Sequence, residues 1–120
     1  MIVGSPKEIE GTLGCCSHGG TGKYFVRTLL DRTATDGFKY VRDLTLYPGS
    51  TIGLHPHELD EEIYFVIEGE GTMVVDLEER RLEAGAVCLT PAGHSHALRN
   101  DGDKDLRILV ACVAVGVSSA

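Results

Sequence analysis

From Tyr24 onward the chain is a series of short apolar or alternating runs, too short for helices and spaced as strands. They are YFVRTLL (Tyr24–Leu30), FKYVRDLTL (Phe38–Leu46), EIYFVIE (Glu62–Glu68), GTMVVD (Gly71–Asp76), RRLE (Arg80–Glu83), AVCLT (Ala86–Thr90), HALRN (His96–Asn100) and LRILVACVAV (Leu106–Val115). Turn signals separate them at Asp36-Gly37, Pro48-Gly49, Gly69-Glu70-Gly71, Pro91-Ala92-Gly93 and Asp101-Gly102. Eight or nine such strands predict an all-β barrel or sandwich. No helical period of useful length lies between them, which disfavours a parallel α/β sheet. Ahead of them, Ser5-Pro6-Lys7-Glu8 can open a short helix that Gly11 and Gly14 soon stop. The expected organisation is an irregular amino-terminal segment over residues 1–23, as loop or short helix or strand, and a barrel over residues 24–120.

Length and composition narrow the class. A chain of 120 residues, 42% hydrophobic and 24% charged, suits one compact domain with a real core. No apolar run spans a bilayer and MIVGSPKEIE lacks the pattern of a secretory leader, so a cytoplasmic address without membrane contact is expected. A formal charge of −7 disfavours nucleic acid as a partner, because no basic cluster is present. Cys15, Cys16, Cys88 and Cys112 form no CxxC pair, and adjacent cysteines are poorly placed to bridge, so reduced thiols are expected.

The chemistry gathers in LHPHELDEE (Leu54–Glu62). Residues two apart on a strand share a face, so His55 and His57 can aim both imidazoles at one point. A His-x-His pair alone is weak, and such pairs also sit on solvated loops. Its neighbours add spacing: Gly49, five residues, His55-Pro56-His57, four residues, Glu62, six residues, Gly69. A second block reads Gly85, five residues, Pro91, one residue, Gly93, two residues, His96, three residues, Asn100. The two blocks resemble the paired motifs of the cupin superfamily, with the match detailed from Gly49 to Asn100.

That resemblance implies a single-domain jelly-roll β-barrel, a double-stranded β-helix of antiparallel strands. It also implies one divalent metal held by His55, His57, Glu62 and His96. Three imidazoles and a carboxylate suit Mn, Fe, Co, Ni or Zn, and leave open positions for a small molecule. Glu62 begins an apolar strand, and a rigid element places a ligand better than a loop. Glu61 competes, since a shorter spacing also occurs among cupins, whereas Glu58 and Asp60 read as a solvated rim. Two positions depart from the usual pattern: Ala86 follows Gly85 where Asp is common, and Leu77-Glu78-Glu79 follows Asp76 where Gly is usual. Both bear on turn geometry and neither is a ligand.

Further candidates are weaker. Strand parity from Glu62 turns Tyr64 and Val66 inward, making Tyr64 a proton donor, a substrate partner or plain core. His94, in His94-Ser95-His96, is a pocket base, a supporting donor or a solvated loop residue. Tyr40, Arg42 and Arg27 reach a pocket only in a favourable register, and Asn100 suits support of a turn. GGTGK is not a phosphate loop, since Ser17 stands where its first glycine belongs and Tyr24 follows Lys23. Cys15, Cys16 and His18 read as a flexible Gly-rich loop, or as a reactive thiol near the barrel mouth. The run Ile63–Ile67 is apolar on both faces, which predicts an outer face covered by a second copy in a homodimer, or by the chain's own amino-terminal strand. Three functions fit: a metal-dependent enzyme on a small oxygenated or carboxylate-bearing molecule (isomerase, lyase, decarboxylase or dioxygenase), a ligand-binding or sensing module, or a barrel with a structural metal.

Overall fold

Side chains alternate between inward and outward positions along Asp60–Glu68 in the computed structural model, which describes residues 1–115. This period of two is what a strand imposes. It sets Glu62, Tyr64 and Val66 on a buried face and Ile63, Phe65 and Ile67 on the other. Ten strands form among the described residues: β1 (Thr12–Cys15), β2 (Lys23–Asp31), β3 (Phe38–Leu46), β4 (Thr51–His57), β5 (Asp60–Glu68), β6 (Glu70–Val75), β7 (Glu78–Glu83), β8 (Val87–Thr90), β9 (His94–Arg99) and β10 (Leu106–Ala114). Every pairing is antiparallel. The strands build a six-stranded sheet, β1-β2-β3-β10-β5-β8, and a four-stranded sheet, β4-β9-β6-β7. The expected all-β jelly roll is the fold.

The two sheets bury one core between them. Leu44, Leu46, Tyr64, Val66, Leu106, Ile108 and Val110 come from the larger sheet, and Ile52, Met73 and Leu98 from the smaller. Full burial of such a side chain contributes roughly 1.5–3 kcal/mol. Asn100, just past β9, is 1% exposed. Its amide donates to the Leu46 and Lys104 carbonyls at 2.8 Å each, and its oxygen accepts the Gly102 N–H at 3.1 Å. It closes the turn before β10, in keeping with the supporting role expected of it.

Several local expectations change. The segment opened by Ser5 makes one turn, with the Glu8 N–H on the Ser5 carbonyl, and no helix follows. Two strands were absent from the apolar runs, β1 and β4. β4 contains Gly53 and Pro56, and tolerates the proline because it is an edge strand paired only with β9. A short 3-10 turn at Ser17–Gly19 packs on β4 so closely that a Cβ at Gly53 would fall 2.1 Å from the His18 carbonyl oxygen. The β6–β7 turn lacks glycine, but Asp76 takes the left-handed conformation itself (φ 53). An Asp does so at little cost, and its carboxylate accepts the Ser95 N–H at 3.0 Å. Of the barrel range expected to residue 120, the last five residues lie outside those described.

On the outer face of the larger sheet Ile63 pairs with Leu89, and Phe65 with Val87, across β5 and β8. Phe65, Val87 and Leu89 are exposed. β1 does not cover them, because it pairs with β2 at the opposite edge.

Candidate metal centre

Three strands bring the four expected ligands together. His55 and His57 lie on β4, His96 lies opposite His55 on β9, and Glu62 enters from β5. The His96 Nε2 is 3.0 Å from the Nε2 atoms of both His55 and His57, and 3.1 Å from Glu62 Oε1. His57 Nε2 lies 3.2 Å from the same oxygen. All four donor atoms fall within 4.8 Å of one another.

The other edge of each ring decides what these contacts are. His55 Nδ1 donates to the Gly53 carbonyl (2.7 Å), and His57 Nδ1 to the Asp60 carboxylate (2.6 Å), while His96 Nδ1 faces the Thr90 hydroxyl (2.7 Å). A neutral imidazole carries one N–H. With Nδ1 donating outward, the Nε2 lone pairs of His55 and His57 are bare and both face His96 Nε2, where a single proton could serve only one of them or the Glu62 oxygen. Such a cluster repels itself unless a cation sits among it, so the donor set fits a metal. The spacing fits as well, since metal bonds of about 2.1 Å place neighbouring donors of an octahedron about 3.0 Å apart.

Surrounding groups set the charge. Burial alone would raise the Glu62 carboxyl, but His96 and the Tyr40 hydroxyl outweigh it and hold the group below its ordinary value. Tyr40 donates to Glu62 Oε2. Burial, reinforced by the Glu62 charge, raises both Tyr40 and Tyr64, so both hydroxyls keep their protons. Tyr64 is buried, 3.4 Å from His96 Nε2. Burial pulls His55 down to about 4, which keeps it neutral and ligand-ready at neutral pH.

Asp60 corrects the rim assignment. It is 8% exposed and bridges His57 to the Lys39 ammonium. Its place at the head of β5 gives it the inward parity of Glu62, while Glu58 is exposed and Glu61 faces away. Buried Cys112 is a neighbour of Asp60, but burial lifts its thiol to about 12 and leaves it a poor ligand.

His55, His57 and Glu62 face a cavity of ≈ 460 Å³ that Tyr40, Arg42, Tyr64 and His18 also line, with Ile52 and Val110 as an apolar wall, while His96 is fully buried. The Arg42 guanidinium lies 3.6 Å over the Tyr40 ring and makes no ion pair among the described residues. His18 stacks flat on His55, with centroids 3.6 Å apart and planes at 8°.

Residues 42–112 match the family described as Cupin domain. An oxalate-binding protein of Thermotoga maritima is 35% identical over 96 residues, covering 79% of each chain. The chain belongs to the cupin domain family. A crystal structure described as a predicted oxalate decarboxylase from T. maritima superposes with a TM-score of 0.91 at 33% identity, covering 96% of this cupin and 100% of that chain. KdgF from Halomonas sp., 16% identical with a TM-score of 0.69 over 81% of this chain and 84% of that one, shares the fold.

The remaining candidates separate in space. His94 stands outside the cavity, its Nδ1 donating to Asp76 at 2.6 Å. Arg27 donates to the Ile9 carbonyl and lies over Phe25, also away from the cavity. Cys15 and Cys16 are exposed and line no part of it, whereas His18 does. No helix among the described residues is long and apolar enough to cross a membrane.

Proposed function

We propose that this cupin is a metal-dependent enzyme acting on a small carboxylate-bearing molecule. His55, His57, Glu62 and His96 hold one divalent ion of Mn, Fe, Co, Ni or Zn. The observation that carries the reading is the convergence of three imidazole Nε2 atoms and one carboxylate beside a cavity that also holds Arg42, which makes no ion pair among the described residues. When bound, such an ion would supply Lewis-acid polarisation of an oxygen ligand. One ligand carboxylate leaves the centre with net positive charge, and Arg42 adds another, so an anion is favoured twice. The guanidinium presents donors to a carboxylate in a matched fork, held in place by its stack on Tyr40. Tyr64 keeps its proton and donates a hydrogen bond toward a ligand at the centre; of the two catalytic candidates it is the one kept, since His94, the candidate pocket base, faces Asp76. Ile52 and Val110 keep water from that wall.

The relatives named for oxalate binding and decarboxylation support a two-carbon dicarboxylate as the first molecule to try. Calorimetric titration of the manganese-loaded protein with oxalate, then with acetate, tests this. Oxalate should bind at one site per chain and acetate at least tenfold more weakly; equal affinities would overturn the dicarboxylate preference, and binding of neither would overturn the substrate class. The printed name of the 35% identical relative also favours a second reading, binding without turnover. Formate release from oxalate separates the two.

A second copy is the cover we propose for the exposed strip of Phe65, Val87 and Leu89. The strip runs across β5 and β8, and β8 is an edge strand whose outer backbone is unpaired among the described residues, so a two-fold related copy meets both an apolar face and a free edge. Light scattering should give the dimer mass, and Phe65→Glu the monomer mass. A monomeric parent protein would refute it.

A further inference from the structure

Cys15 and Cys16 lie side by side where β1 ends, both exposed, with their sulfurs 2.7 Å apart. Cys88 is half-buried and Cys112 buried, so an oxidant arriving from solution meets the adjacent pair first. Cys16 holds a left-handed backbone (φ 61, ψ 39), a conformation a side chain disfavours. Two hydrogen bonds keep it there: its N–H donates to the Gly22 carbonyl at 3.0 Å, and its carbonyl accepts the Gly19 N–H at 3.1 Å. Inside this loop sits His18, left-handed as well (φ 49), with its ring flat against the ligand candidate His55. Strained backbone of this kind next to a functional site marks a segment with a role.

We propose that Cys15 and Cys16 form a dithiol modification site for hydroperoxides, which closes reversibly to a vicinal disulfide and moves the turn that carries His18. The thiolate of one cysteine attacks the terminal peroxide oxygen; the O–O bond breaks, alkoxide (hydroxide from hydrogen peroxide) leaves and takes up a proton, and the sulfur becomes a sulfenic acid. The neighbouring thiol attacks that sulfur; the S–S bond forms, the S–O bond breaks and water leaves. Two electrons pass from the sulfurs to the peroxide. Adjacent Cα atoms are about 3.8 Å apart, below the usual disulfide range of about 4.4–6.8 Å. The ring is therefore strained, and an external dithiol reopens it, as expected of a labile bond and not a structural one. Closing the ring changes the torsions of Cys16, and the Cys16–Gly19 hydrogen bond passes that change to His18. The thiols themselves never touch the cavity.

The test is peptide mass spectrometry on the full chain after one equivalent of hydrogen peroxide and alkylation of the remaining thiols. The peptide containing Cys15 and Cys16 should lose the mass of two hydrogens, regain it with a dithiol reductant, and lose nothing in Cys15→Ser or Cys16→Ser. The outcome should be the same with and without metal, which separates it from the function proposed above. Sulfinic acid on either residue, a disulfide between chains, or first reaction at Cys88 or Cys112 would overturn the site. NMR of the metal-free protein reads the coupling: the His18 and His55 ring signals should shift on oxidation and return on reduction. Unmoved signals would overturn the link to the turn.

Discussion

Replacing Asp60 asks whether the carboxylate behind His57 tunes the centre. Asp60 is 8% exposed, accepts the His57 Nδ1–H at 2.6 Å and carries the Lys39 ammonium on its other oxygen. Burial opposes its charge, but the Lys39 and His57 hydrogen bonds outweigh burial and hold its carboxyl below the ordinary value. Asp60→Asn keeps an oxygen for Nδ1–H and so keeps the tautomer, while removing the charge that makes His57 a stronger donor. Supporting partners of this kind are worth about 10–100-fold in metal affinity. Asn should sit at the low end, about tenfold or 1.4 kcal/mol. Asp60→Leu also orphans the buried N–H and frees the ring to exchange tautomers, and should approach a hundredfold. Competition against a chelator of known affinity, with zinc as the metal, measures both. Wild-type affinity in the two variants, with unchanged melting of the metal-free proteins, would refute the role given to Asp60.

Two further outcomes concern stability. Burial holds His55 down to about 4, so between the unfolded histidine value of about 6.5 and that point the unfolded chain takes up a proton that the fold refuses. The metal-free fold should therefore lose stability as pH falls through that window, with the depressed Glu62 and Asp60 carboxyls adding further loss below it. Thermal melts across the window check this, and a midpoint independent of pH would contradict it. Asn100→Ala removes three hydrogen bonds and leaves the Leu46 carbonyl short of a donor. It should cost about 2–4 kcal/mol in denaturant unfolding with metal affinity largely kept; a loss under 0.5 kcal/mol, within the ordinary scatter of about that size for surface changes, would show that the turn stands without it.

The barrel was legible because alternation and turn residues are local signals, and Phe38–Leu46 emerged with its bounds intact. β4 escaped the apolar runs because Gly53 and Pro56 interrupt it, yet the parity of His55 and His57 was readable since two residues share a face wherever a strand forms. β1 escaped because TLGC holds too little apolar pattern to register. At the site, the candidate ligand set came from the family resemblance that the motif spacing carries, and the structure brings those four side chains together. Asp60 was misread because its partner Lys39 lies on a different strand, and no local pattern distinguishes a carboxylate beside His57 from one on the rim. Its inward parity with Glu62 was the available signal. Tyr40 and Arg42 needed the register of β3 against β10, and of β10 against β5, which side-chain type alone does not set. His18 needed a turn with two left-handed residues that are not glycine, a conformation that sequence pattern argues against.

The central claim is that four side chains from three strands make one metal site, and metal content of the purified protein tests it most directly. After loading with zinc or manganese and removal of excess, elemental analysis should find one divalent ion per chain. Glu62→Ala and His96→Ala should each hold a small fraction of that under the same conditions. No metal in the parent protein, or full occupancy in both variants, would contradict the account.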